Sequence, residues 1–210
     1  MNKKELSERD ICTKFITPAL IKAGWNLQTQ VREEFSLTKG RVIVRGKLHT
    51  RGQQKRADYV LFYQPNIPLA VIEAKDNKHS VGDGMQQALE YADLLQVPFV
   101  FSSNGDRLLF HNKLNRDGNI EQEIEFEQMP SPDILWGWWS KSQGLNEQQQ
   151  KLITQDYYND GSGKTPRYYQ LLAINKTIEA ISQGQQRILL VMAKTSKERT
   201  IHPKVQFLSY

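Results

Sequence analysis

Cysteine is almost absent from this sequence. Cys12 stands alone, so no intrachain disulfide can form, and no Cys/His cluster has zinc-binding spacing; both fit a reducing cytoplasm. Long apolar runs are missing too. Nowhere do about eighteen apolar residues follow one another, as a membrane-spanning helix needs. The opening MNKKELSERD is charged and lacks the apolar core of a signal peptide, so a cytoplasmic protein with no membrane association is expected. Internal repeats are also lacking. What is present is ordinary for a folded domain: 39% hydrophobic and 24% charged residues. The 28 basic residues outnumber 23 acidic ones, and the resulting charge of +5 permits nucleic-acid binding without demonstrating it.

Strands and helices alternate along the chain, which gives the α/β class. From Glu8 to Trp25 apolar residues recur at helical spacing, with Ile11, Phe15, Leu20 and Ile21 on or near one stripe and Gly24 as the stop. Residues 26–36 and 41–49 alternate around Thr38-Lys39-Gly40 and read as an antiparallel hairpin with a basic edge. Ala57 to Tyr63 and Leu69 to Lys75 are β-rich and separated by a proline-punctuated turn. Gly82-Asp83-Gly84 opens an amphipathic helix to about Leu95, and Val97 to Ser102 and Arg107 to His111 read as further strands. Beyond Asn112 the pattern weakens. The acidic EQEIEFEQMP, the Trp136, Trp138 and Trp139 cluster and a glutamine-rich helix around 145–155 read as a peripheral extension. A polar linker at 156–166 is followed by a helix from Arg167 to Gln183, the apolar strand RILLVMA and a basic tail without a period.

The chemistry concentrates around two strands. Asp58 begins the first, while Glu73 and Lys75 lie two apart on the next, so the strand period turns both to one face. Two carboxylates delivered by adjacent strands make a hard-oxygen site suited to Mg²⁺, with Lys75 beside them to orient or help deprotonate a water and to offset transition-state charge. A glutamate within LAVIEAK is costly for a merely structural buried strand. Gln87 and Tyr91, four apart on the following helix, share a face. Arg41, Arg45, Lys55, Arg56, Lys78 and His79 flank the motif in sequence and are candidates to track phosphates.

Asp58, fourteen intervening residues and then Glu73-Ala74-Lys75 resemble the PD-(D/E)XK nuclease superfamily, although Ala57 stands where the superfamily name has proline. That resemblance implies a mixed β-sheet flanked by helices, and a further acid for the metal in the first helix, where Glu8 stands. Gln87 and Tyr91 are similar to the Gln-x-x-x-Tyr element of RecB-like nucleases and type I restriction enzymes, which implies a role in DNA binding or site support. Gly161-Ser162-Gly163-Lys164-Thr165 looks like the end of a Walker A loop, yet Tyr158 replaces its leading glycine and Pro166 follows directly, so it reads as linker. TPRYYQLLAINKTIEAI resembles the adenine-contacting Gln motif of superfamily 2 motors, with Gln170 at the matching glutamine as a vestigial nucleotide contact. No glycine follows Gly184, so the phosphate cradle is missing.

In order, SERDICTKFITPALIKAGW, RADYVLFY, VIEAK, QQALEYADLL, FVFSSNG and PRYYQLLAI resemble the amino-terminal part of the type I restriction endonuclease R subunit, over about residues 5–193. The resemblance implies an endonuclease domain at 1–155, a linker at 156–166 and, at 167–210, the truncated start of a helicase-like motor as a helical carboxy-terminal extension. It implies Mg²⁺-dependent cleavage of double-stranded DNA alongside methylation and specificity subunits. It also implies ATP-driven translocation, of which this chain retains no complete site. Two other readings stay open: a stand-alone repair nuclease, and a catalytically silent fragment that docks to DNA or to partner subunits.

Overall fold

The computed structural model describes residues 2–37, 42–45, 48–51, 55–116, 118–156, 166–191 and 204–206, with backbone alone for 42–45, 48–51, 190–191 and 204–206. Contacts divide the chain into two compact units. One comprises Met1–Phe35 with Arg56–Gly144, the other Ser36–Lys55 with Leu145–Tyr210.

The first unit opens with a helical run. Ser7 caps α1 (Glu8–Ile11) by accepting from the Asp10 N–H, and the Asp10 carboxylate accepts in return from the Ser7 N–H at 3.1 Å, so Glu8 is fixed in the first turn. A π-helical stretch, Cys12–Ile16, leads into α2 (Thr17–Lys22). The wider π turn rotates the apolar stripe. Ile11, Cys12, Ile16, Ala19 and Leu20 are buried, whereas Ile21, expected on or near the stripe, is exposed.

The sheet has six strands in the order β1-β4-β5-β6-β7-β8: β1 (Val31–Ser36), β4 (Arg56–Phe62), β5 (Pro68–Ala74), β6 (Phe99–Ser103), β7 (Leu108–Asn112) and β8 (Glu121–Ile124). β5 and β6 run parallel, joined through α3 (Met85–Leu95); β4–β5, β6–β7 and β7–β8 are antiparallel. The sheet is therefore mixed, as expected. α3 packs on β5 and β6. On the opposite face lie Tyr59, whose hydroxyl is 2.9 Å from Thr17 Oγ1, and Phe99, Phe101 and Phe110. Trp138 of α4 (Pro132–Ser142) packs there, with its ring 6.0 Å from Phe99 and 6.1 Å from Phe110. Helices thus cover both faces.

Three expectations change. Residues 26–36 and 41–49 do not form a hairpin: β1 joins the large sheet, and β2 (Val42–Arg45) pairs instead with β3 (Leu48–Arg51). Only two residues separate those strands, the shortest hairpin connection, and it prevails over the longer turn expected at Thr38–Gly40, which lies outside the described residues. The acidic stretch after Asn112 is not peripheral. It supplies edge strand β8, which with Glu125 just beyond it meets side chains of β7 and the preceding turn: His111 Nδ1 is 2.8 Å from Glu121, and Arg107 is 3.5 Å from Glu123 and 3.1 Å from Glu125. The tryptophan cluster is likewise part of the packed unit. Trp136 stacks on Tyr63 at 4.5 Å and 4°, and the buried Trp25 Nε1 donates to the Pro130 carbonyl at 2.9 Å.

The second unit holds the β2–β3 ribbon, α5 (Glu147–Ile153), α6 (Tyr168–Ser182) and a two-stranded sheet of β9 (Leu189–Val191) and β10 (Lys204–Gln206). α5 packs on α6, and Gln149 Nε2 donates to the Ser182 carbonyl at 3.0 Å. The basic tail, whose sequence shows no period, contributes a strand that pairs antiparallel with β9. Among the described residues no helix is long and apolar enough to cross a membrane.

Candidate active site

Asp58, Glu73, Lys75, Gln87, Tyr91 and Glu8 all belong to the first unit, and the structure gathers them. In the β4–β5 register Tyr59 faces Ile72, so Asp58 stands opposite Glu73 one step further on. The Ala74 N–H donates to Asp58 Oδ2 at 2.7 Å, which ties one acid to the strand of the other. Lys75 Nζ donates to Glu73 Oε1 at 3.3 Å and to Gln87 Oε1 at 3.2 Å, and Gln87 Nε2 donates to the Tyr91 hydroxyl at 2.8 Å. Glu8 Oε1 lies 3.6 Å from the same ammonium. One hydrogen-bonded chain thus runs from Glu73 through Lys75 and Gln87 to Tyr91.

Burial governs the electrostatics. Glu73 is 3% exposed, and burial, followed by the neighbouring Asp58 charge, pushes its carboxyl up to about 8 despite Lys75. Asp58 is also raised, by burial first and by Glu8, against the pull of the Ala74 N–H and Lys75. For Lys75 burial disfavours the charge, but Glu73, Glu8 and Asp58 outweigh it and hold the ammonium above its ordinary value. Glu73 Oε2 is buried without a hydrogen-bond partner among the described residues. Such an atom is costly to bury, and a divalent cation between Asp58 and Glu73 would meet it.

Among the described residues no group of three or more His, Cys, Asp or Glu side chains forms a metal cage. Two carboxylates suffice for Mg²⁺, which keeps several waters and takes further ligands from phosphate. The donor set therefore fits Mg²⁺ and suits neither zinc nor a fully protein-enclosed calcium.

Two residues that sequence reasoning did not single out border this group. Ser102 of β6 is the register partner of Glu73 across the parallel pair, fully buried, with an Oγ that finds no partner among the described residues. Gly84, just before α3, lies against it: a Cβ there would come 2.7 Å from Ser102 Oγ, 3.3 Å from Glu73 Cγ and 3.4 Å from Lys75 Cγ. Sequence spacing carries no sign of either, because both depend on the crossover that brings β6 beside β5.

The flanking basic residues are described only in part. Arg56 is paired with Glu34 at 2.6 Å, His79 Nδ1 is 3.1 Å from Asp83, and Lys78 is exposed. Arg41 lies outside the described residues, Arg45 is described by its backbone alone, and Lys55 belongs to the second unit. Gln170 is also in the second unit, where its Oε1 accepts from the Arg167 N–H at 3.0 Å and caps α6. The residues from Gly161 to Thr165 lie outside the described ones.

Comparison with known proteins gives the family and the fold. The family model described as type I restriction enzyme R protein N terminus matches residues 41–119. The chain is 55% identical over 194 residues to the type I restriction enzyme EcoAI endonuclease subunit of Escherichia coli, a match covering 92% of this chain and 24% of that protein. A solved fragment of an HsdR subunit of a type I restriction enzyme from Vibrio vulnificus superposes with a TM-score of 0.77 at 36% identity, covering 90% of this chain and 35% of that one. The chain thus spans about a quarter to a third of the length of the relatives it matches. By sequence and by fold, it belongs to the family of type I restriction enzyme R proteins, in the region that forms their N terminus.

Proposed function

We propose that the first unit is the DNA-cleaving part of a type I restriction system, hydrolysing phosphodiester bonds of double-stranded DNA with Mg²⁺. The observation that carries this reading is the meeting of Asp58 with the buried Glu73 across β4 and β5, with a carboxylate oxygen left unpartnered among the described residues. Asp58 and Glu73 would hold the ion, with Glu8 as an outer acid. The chemistry such an ion would supply there is polarisation of the phosphate and activation of the attacking water. Lys75 lies among three carboxyl groups that favour its ammonium form, which sets a positive donor beside the developing negative charge, where it can also orient the water. Gln87 orients that donor and Tyr91 orients Gln87, a site-supporting role that explains their spacing of four on α3.

The domain division proposed is a nuclease domain over 1–155, a linker over 156–166 and the beginning of a motor over 167–210. Within the whole enzyme the reading includes ATP-driven translocation, methylation and specificity subunits as partners, and action in the cytoplasm. The Gln170 amide, engaged at its own helix start, has no described phosphate loop beside it.

The test is Mg²⁺-dependent nicking of supercoiled plasmid by the purified chain, beside Asp58→Ala and Lys75→Ala, with Mg²⁺ calorimetry on the same samples. Nicking that either substitution lowers by about a hundredfold or more supports the assignment. Binding abolished by Asp58→Ala without nicking supports a site that needs its motor. Neither signal in the wild-type chain refutes the reading and leaves docking as its role.

A further inference from the structure

Two adjacent serines on β6 behave differently. Ser103 Oγ donates to the Arg107 carbonyl at 2.8 Å and accepts from the Gly105 N–H at 3.1 Å, which ties down the β6–β7 turn. Ser102 is on the opposite face of the strand, 0% exposed, and its Oγ has no partner among the described residues. A buried hydroxyl without a partner is uncommon and calls for a reason.

Its surroundings supply one. Ser102 is level with Glu73 in the parallel register, so the two side chains stand side by side on the face that α3 covers. Glu73 Oε1 is engaged by Lys75, while Oε2, like Ser102 Oγ, is buried and unpartnered among the described residues. Ser102 Oγ and the Glu73 Cγ sit beneath Gly84, the one residue type whose missing side chain leaves room there. A hydroxyl can donate one hydrogen bond, and a carboxylate oxygen has two lone pairs, so Oε2 can take a cation on one side and a hydroxyl donor on the other.

We propose that Ser102 is the positioning residue for Glu73: its hydroxyl, not bonded to the carboxylate in this structure, turns to donate to Oε2 when that carboxylate takes the divalent ion and fixes the orientation in which the two meet. This deepens the nuclease reading and rests on it. Outer partners that hydrogen-bond a ligating carboxylate commonly change metal affinity by about 10–100-fold when removed. Ser102→Ala removes the donor without adding volume, so the metal-free fold stays intact. Ser103→Ala, one residue along, removes a turn hydrogen bond and leaves Glu73 alone.

Mn²⁺ binding to the whole chain, measured by calorimetry, and thermal melting without metal separate the two roles. The expected result is a dissociation constant at least about tenfold weaker in Ser102→Ala with a melting temperature near that of the wild type. Ser103→Ala is expected to do the reverse, melting earlier with Mn²⁺ affinity unchanged. Equal Mn²⁺ affinity in wild type and Ser102→Ala would overturn the inference while leaving the nuclease reading standing. A Ser102→Ala chain that is unfolded without metal, or a loss of affinity in Ser103→Ala as large as that in Ser102→Ala, would also overturn it, because the serine would then be structural. No Mn²⁺ binding by the wild type would remove the nuclease reading and this inference together.

Discussion

Gly84→Ala is the sharpest probe of how closely α3 is seated on the site. The backbone there is ordinary, with φ −83° and ψ −13°, so alanine meets no strain from its own torsions. An Ala for Gly exchange at such a position stabilises by about 0.4–1 kcal/mol through the unfolded state. Against that, the new methyl group would lie 2.7 Å from Ser102 Oγ, closer than packed atoms tolerate, and 3.3 and 3.4 Å from the Glu73 and Lys75 Cγ atoms, contacts tight enough that those side chains would have to give. Overpacking of this kind costs about 1–3 kcal/mol. The clash wins, and the net loss is about 1–2 kcal/mol, which lowers the melting temperature by roughly 2–8 °C for a chain of this size. Thermal melts of wild type, Gly84→Ala, Ser102→Gly and the double variant form a cycle, in which removing the Ser102 side chain should recover at least about 0.5 kcal/mol of the Gly84→Ala loss. An alanine variant as stable as the wild type, or a loss that Ser102→Gly does not relieve, would refute the close seating.

The raised Glu73 carboxyl makes stability depend on pH. Between its ordinary value of 4.5 and its folded value of about 8 the native state holds a proton that the unfolded state has released, so without metal stability is full below that window and falls as pH rises through it. The ceiling is ~5 kcal/mol, and Asp58 shifts in the same direction. Melting in chelator from pH 5 to 8 should show a decline that Glu73→Gln flattens; a slope identical in the two proteins would contradict the assignment. Glu73→Gln should also melt above the wild type at pH 8 in chelator while binding no Mn²⁺. Trp25→Phe leaves the Pro130 carbonyl buried without its donor and should cost about 2 kcal/mol by chemical denaturation, with a neutral result excluding that bond as a contributor. The Tyr63–Trp136 stack should give a coupling of about 1 kcal/mol in a double-alanine cycle, whereas additive losses would mean the rings merely fill space.

Much of the site was legible in the sequence because it rests on local periods. Glu73 and Lys75 share a face by the strand period, Gln87 and Tyr91 by the helical one, and each observed strand from β4 to β7 lies within two residues of its expected limits. The opposition of Asp58 and Glu73 needed only adjacent strands. What stayed hidden depends on non-local pairing or on local irregularity. Ser102 sits beside Glu73 only because β5 and β6 are parallel, and no alternation in FVFSS distinguishes it from Ser103. β8 was obscured because an edge strand facing water carries polar residues on both sides, with Ile124 its one buried position. The π-helical stretch, which turns Ile21 outward, changes the period within the helix itself.

The strands and helix that carry Asp58, Glu73, Lys75, Gln87 and Ser102 follow one another directly in the chain, β4, β5, α3 and β6, with no other element between them. Sequence-local assemblies of this kind close early in folding, since little loop entropy opposes them. During synthesis the catalytic block would consolidate while the following segments are still being made. On the proposed nuclease reading, a centre completed that early would not rely on its own immaturity to spare the cell's DNA. Restraint would then come from outside the block, through the delivery of DNA to a site already assembled.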